Sequence, residues 1–201
     1  MKNIFLCRHG ETEFNLKKIV QGHIDTDLTP KGIIQARLVA EKLKNFNIQK
    51  IYSSDLKRAY QTATIIADIL NLHVEIDKRI REMHFGEYEG KPHSQIDKNI
   101  FQNWLDNPVK NPLPKQEDIY FFEKRLRKFL EDIINIEEEN ILVVGHGGSI
   151  HGFICIAYGF GFEKLWRFRH NNTGITLLQH INGNLNIKFI NYSEHLDNLG
   201  D

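Results

Sequence analysis

Apolar residues in this chain fall into two alternating patterns. The runs at 4–7, 51–52 and 141–144 are short, apolar and bounded by polar loops, and Val74 and Ile76 suggest a further strand. Such a run has the form of a strand covered on both faces. Between them, apolar positions recur at helical spacing. Thr29-Pro30 opens one helix, with Thr as N-cap and Pro at the first helical position. Ile33, Ala36, Ala40 and Leu43 give that helix its expected stripe. Ser53-Ser54-Asp55 is expected to cap the next helix, which carries Ala59, Thr62, Ala63, Ile66 and Leu70. Ile96, Ile100 and Trp104 predict a further helix, and Pro108, Pro112 and Pro114 break the chain after it. A helix from about Glu117 carries Phe122, Leu126, Phe129 and Ile133, and an apolar helix starts near Ser149. The runs 175–181 and 185–190 flank Asn182-Gly183-Asn184, a strong hairpin signal. Strands that alternate with helices predict an α/β, three-layer α/β/α domain. No repeat or linker divides the chain, so 1–201 reads as a single domain.

Composition narrows the function classes. Lys plus Arg and Asp plus Glu both number 26, so the formal charge is zero. A global field for nucleic acid or an anionic membrane is absent, and neither is expected as a partner. The two cysteines, Cys7 and Cys155, fit no zinc pattern and no disulfide framework, which suits a reducing compartment. The apolar run before Arg8 is too short for a signal peptide, and no run has transmembrane length. A cytoplasmic protein is expected. A homodimer is compatible with the sequence, which does not encode oligomeric state legibly.

Candidate chemistry gathers in four polar clusters that follow strands: Arg8-His9-Gly10-Glu11-Thr12, the stretch 53–58 ending in Arg58, Arg81-Glu82, and Gly145-His146-Gly147-Gly148. Sites on α/β sheets are built at strand ends. Histidines, a carboxylate and arginines together suit phosphoryl transfer. Cations surround the transferred group, a neutral imidazole attacks phosphorus, and a carboxylic acid protonates the leaving oxygen and then activates water. With arginines carrying the charge, no metal and no cofactor are needed. Each part also has an ordinary structural use. Arg58 could be one charge on a solvated helix face beside Lys57, Glu82 a surface ion pair with Arg81, and Gly147-Gly148 a tight turn. The joint placement is what those uses explain poorly.

These residues resemble the histidine phosphatase superfamily, its phosphoglycerate-mutase-like branch, over nearly the whole chain. Arg8-His9-Gly10-Glu11-Thr12 after an N-terminal strand is the signature, followed by Asn15, Gln21-Gly22, Leu28-Thr29 and Gly32. The string from Ser53 to Ala59 with Thr62, then Glu82, Phe85-Gly86 and Glu89-Gly90, and lastly Gly145-His146-Gly147-Gly148, match its later motifs. The resemblance implies a mostly parallel sheet with helices on both faces. It implies His9 as nucleophile and Glu82 as proton donor. Arg8, Arg58 and His146 would form the phosphate pocket, and Asn15, Gln21, Gly22 and Gly147 would meet substrate. Two positions depart from the pattern: Gln116-Glu117-Asp118 replaces the usual Gly-Glu-Ser, and Gly145 stands where Ser or Thr is common.

The expected reaction is hydrolysis of a small phosphorylated metabolite, such as α-ribazole phosphate or a sugar phosphate. The insertions and long tail of cofactor-dependent phosphoglycerate mutases are missing, so a mutase is the alternative. A non-catalytic phosphate-binding module on the same fold is a remote one. Phosphoserine phosphatase ranks lower, because Phe85 stands where its distinguishing His is expected. A metalloenzyme ranks low, since His146 and His151 lack the His-Glu-x-x-His pattern. The segment 91–116, with His93, Phe101 and Trp104, is expected to roof the pocket, although both aromatics could equally be core.

Overall fold

A computed structural model describes residues 1–197 and 199. The short apolar runs become β1 (Lys2–Arg8), β2 (Lys50–Ser53), β3 (Val74–Ile76) and β4 (Asn140–Gly145), and the hairpin supplies β5 (Ile175–Ile181) and β6 (Asn184–Tyr192). They form a six-stranded sheet in the order β3-β2-β4-β1-β5-β6. β1, β2, β3 and β4 run parallel; β5 is antiparallel to β1, and β6 to β5. The C-terminal ends of the parallel strands therefore share one edge of the sheet, and β5 starts there. Cys7 pairs with both Val144 and Ile175.

Helices cover both faces: α1 (Glu13–Leu16), α2 (Pro30–Leu43), α3 (Lys57–Leu70), α4 (Lys98–Asp106), α5 (Ile119–Ile134) and α6 (Gly147–Tyr158). Successive strand residues point to opposite faces. Ile4, Leu6, Ile141 and Val143 accordingly pack with Leu126, Phe129 and Phe153 from α5 and α6. Phe5, Cys7, Leu142 and Val144 pack with Val39, Ala63 and Ile66 from α2 and α3. No helix among the described residues is long and apolar enough to cross a membrane.

Local readings needed correction in two places. The buried stripe of α2 is Gln35, Ala36, Val39, Ala40 and Leu43, while Ile33 is 39% exposed. The cause lies at the helix start. Thr29 caps Gly32 N–H at 3.0 Å, and a Cβ on Gly32 would stand 2.2 Å from the Glu11 carbonyl oxygen. This close approach sets the rotation of α2 and turns Ile33 outward. Secondly, Leu56 is the N-cap of α3 and makes no side-chain cap bond. Asp55, expected to cap, turns away to Arg81 through two contacts of 2.6 Å.

Candidate active site

At the shared strand edge lies a cleft of about 840 Å³. The chain leaves β1 at Arg8 and turns sharply at Gly10, whose N–H donates to Thr62 Oγ1 at 2.9 Å. A Cβ on Gly10 would stand 2.6 Å from the Gly32 carbonyl oxygen, so glycine permits this turn. His9 is thereby held in the floor, 2% exposed. Its Nδ1 lies 2.7 Å from the Gly10 carbonyl oxygen. A carbonyl only accepts, so Nδ1 carries the proton and Nε2 keeps its lone pair. Burial, then Arg58 and Arg8, hold the His9 pKa well below the usual histidine range. The ring is neutral at pH 7.

Arg58 lies on the first turn of α3, only 1% exposed. Its Nη1 and Nη2 donate to the Ile24 and Gly22 carbonyls at 2.9 and 2.8 Å. Gly22 has φ +50°, and a Cβ there would strike the Glu89 carboxylate. Arg8 Nη1 donates to the His170 carbonyl at 2.6 Å. Neither arginine has a carboxylate in an ion pair, and the buried Nε of each has no partner among the described residues. Burial lowers the Arg58 pKa to about 10. His146 packs against His9 with its ring tilted by 55° and the centroids 5.3 Å apart; it is fully buried, and neither ring nitrogen has a partner among the described residues. Burial first, then Arg58 and His9, holds it neutral. It is the N-cap of α6, whose N-terminal dipole end faces this pocket.

Glu82 is 8% exposed and lines the cleft. Oε1 accepts from Met83 N–H at 2.9 Å and Oε2 from Gly148 N–H at 3.1 Å. A Cβ on Gly148 would stand 2.3 Å from Oε1, so glycine is what lets the carboxylate reach the helix start. The loop that carries Glu82 is clamped from outside. Arg125 on α5 donates to the carbonyls of Arg79, Arg81 and Glu82, the last at 2.9 Å. Glu117 grips the same guanidinium at 2.7 and 3.0 Å. Glu117 thus has a position-setting contact, although its motif departs from the family pattern. The ordinary alternative for Glu82, a surface pair with Arg81, does not form, because Arg81 is bound to Asp55.

Comparisons with known proteins give the family. A family model described as "Histidine phosphatase superfamily (branch 1)" matches residues 4–193. The chain belongs to the histidine phosphatase superfamily. Among its relatives is a Hydrogenobacter thermophilus protein described as "Putative phosphoserine phosphatase 2", 48% identical over 88% of this chain and 88% of that one. Another is the adenosylcobalamin/alpha-ribazole phosphatase of Escherichia coli, 31% identical over 83% of this chain and 84% of that protein. A solved Entamoeba histolytica phosphoserine phosphatase, in complex with 3-phosphoglyceric acid, superposes with TM-score 0.86 at 33% identity. That alignment covers 98% of this chain and all of the other. The chain is a phosphatase of this superfamily.

In this histidine phosphatase, Arg8, His9, Asn15, Gln21, Gly22, Arg58, Glu82 and Gly147 line one cleft, and His146 lies buried against its floor. Gln21 Oε1 accepts from Thr26 Oγ1 at 2.9 Å and lies 3.1 Å from Thr12 Oγ1, which holds its amide at the rim. Gly145 has a local explanation: a Cβ there would stand 2.9 Å from Ser149 Oγ, which accepts the His146 N–H at 3.0 Å. His93, Phe101 and Trp104 do line the cleft, and Trp104 is also core at 5% exposure. Sequence reasoning missed the segment before β5. Asn172 Nδ2 donates to the His9 carbonyl at 2.9 Å and lies 3.3 Å from Asn15 Oδ1. The available signal was the polar string Arg169-His170-Asn171-Asn172, which precedes a strand where the other clusters follow one.

Proposed function

We propose that this histidine phosphatase hydrolyses small phosphomonoesters through a phosphohistidine on His9, without a metal. The observation that carries the reading is the Nδ1 contact to the Gly10 carbonyl, which leaves Nε2 as a neutral nucleophile beside two arginines that make no direct carboxylate ion pair among the described residues. Nε2 attacks phosphorus as the P–O ester bond breaks, and the Glu82 carboxylic acid protonates the leaving oxygen. Water then attacks the phosphohistidine, Glu82 takes its proton, the P–N bond breaks, and phosphate leaves. Arg8 and Arg58 stabilise the equatorial oxygens, aided by His146 and the Gly147 backbone. Asn15, Gln21 and Gly22 border the bound ester. The two buried free thiols suit a cytoplasmic location.

Substrate identity starts from three groups: α-ribazole phosphate, sugar phosphates, and phosphoserine with phosphoglycerates. The relative at 48% identity brings phosphoserine back into that panel despite Phe85. The test is rapid acid–base quench with labelled substrate after EDTA treatment. An acid-labile, base-stable adduct is expected, absent in His9→Ala together with turnover. Full turnover by His9→Ala would reject the mechanism, and activity that needs added metal would reject the arginine-only account.

A further inference from the structure

Beyond the phosphate pocket, the cleft holds a second group of polar atoms that the hydrolysis does not use. His151 is on α6, one turn after Gly148, and therefore on the same face of that helix. Gly148 is the residue whose N–H meets Glu82 Oε2. Trp166 closes against the same point: a Cβ on Gly148 would stand 3.1 Å from its Cη2. His151 and Trp166 have ring centroids 5.9 Å apart, and both line the cleft. Proton donor, glycine, indole and imidazole thus form one continuous wall on the side where the alcohol half of the ester must lie.

The polar atoms on that wall are orphaned. His151 is 7% exposed, yet among the described residues neither ring nitrogen has a partner, and the buried Nε1–H of Trp166 has none either. A buried polar group left unmatched is costly, so a bound group that matched them would gain selectively. Burial, with His170 and Arg8 nearby, lowers the His151 pKa to about 3, so the ring is neutral. A neutral imidazole presents one donor and one acceptor, and the indole adds a donor. A bare carboxylate would leave the imidazole acceptor unmatched. An ammonium would face Arg8, Arg58, Lys18 and Arg169 around a cleft that, among the described residues, is lined by one carboxylate, Glu82. A hydroxyl donates and accepts at once and brings no charge. The aromatic rings of Phe85, Trp104 and Phe168 alongside suit the apolar carbons that carry it.

We propose that His151 and Trp166 form a leaving-group subsite that recognises a hydroxyl on the alcohol half of the phosphomonoester. The substrate class is then a hydroxylated phosphate ester, such as a sugar, polyol or hydroxy-acid phosphate, in preference to an aminoalkyl one. This rests on the phosphatase reading of the same cleft.

The experiment uses matched small esters on the full chain: 2-hydroxyethyl against ethyl phosphate, 3-hydroxypropyl against propyl phosphate, and O-phosphoethanolamine as the ammonium analogue. The better hydroxylated ester should exceed its alkyl partner by about tenfold or more in kcat/KM, as expected for a site built around a hydrogen-bonding group. O-Phosphoethanolamine should not exceed ethyl phosphate. His151→Leu should bring the hydroxyl preference close to one, and His151→Asn, which keeps a donor and an acceptor, should restore most of it. Calorimetry on His9→Ala reads the same ratio as binding, independent of turnover. A ratio near one in both assays overturns the subsite, as does a preference for O-phosphoethanolamine or a ratio that His151→Leu leaves intact. Absent wild-type turnover with a retained binding ratio would instead reject the phosphatase reading and leave the subsite standing.

Discussion

Two groups of arginines flank the loop that carries Glu82, and they are held in opposite ways. On the cleft side, Arg8 and Arg58 donate to neutral carbonyls of His170, Ile24 and Gly22. On the outer side, Arg79, Arg81 and Arg125 are bound to the carboxylates of Asp77, Asp55 and Glu117. The electrostatics diverge accordingly. Burial pulls the Arg58 pKa down to about 10, whereas the Asp55 carboxylate raises that of Arg81. An ion pair makes an arginine a good strut, because its charge is already neutralised. A carbonyl fixes the orientation of the guanidinium and leaves its charge for an incoming phosphate. The difference separates positioning from binding within one loop's surroundings.

The sharpest test concerns Glu82, where the two groups meet. Glu82→Gln should slow phosphoenzyme formation by about a hundredfold to ten-thousandfold for an alkyl phosphate, and far less for para-nitrophenyl phosphate, whose leaving group hardly needs a proton. Dephosphorylation should slow equally after either substrate, because the same phosphohistidine awaits water. Single-turnover kinetics resolve the steps, and equal slowing of the first step would reject Glu82 as the acid. Arg58→Lys comes next. It keeps the charge but loses the fork, and kcat/KM should fall about tenfold to a thousandfold. Arg81→Lys, on the charge-paired side, should stay within about threefold. Similar losses in both variants would erase the contrast.

A smaller effect is expected from the clamp. Glu117→Gln removes the charge partner of Arg125, in a pair whose side chains are 18% and 19% exposed. Partial exposure reduces the cost of breaking a buried pair to about 1–3 kcal/mol, read as a lower denaturant midpoint. Activity should fall about tenfold on alkyl phosphates and less on aryl ones, because only the placement of the acid is disturbed. Uniform loss on both would assign Glu117 to stability alone.

The smallest effect is pH-dependent stability. His9, His146, His151 and His170 are buried neutral, each held below its ordinary pKa chiefly by burial. Below about pH 6.5 the unfolded chain binds protons that the folded chain refuses, so stability rises with pH there and falls on acidification. From pH 7.5 to 6.5 the four should together remove about 1 kcal/mol, steepening lower down. A denaturant midpoint independent of pH across 5–7.5 would contradict their burial as neutral rings.

Much of this protein was legible in local spacing. Apolar runs covered on both faces announce a sheet between two helical layers, since only that packing buries both sides of each strand. The four polar clusters mark the strand ends, and Arg8-His9-Gly10-Glu11-Thr12 marks the family. Tertiary structure alone decided the rest. Ile33 faces outward because the backbones of Gly32 and Glu11 meet. Arg125 reaches Glu82, 43 residues away, through a carbonyl, which leaves no trace in residue type. Asn172 enters the site because antiparallel β5 begins where β1 ends. His151 looks like one more residue in an apolar helix until the fold sets it in the cleft wall with neither nitrogen partnered among the described residues. Periodicity reports which face of an element is buried. Which backbone groups and orphaned atoms meet there depends on contacts between distant segments, and those are fixed only when the whole chain packs.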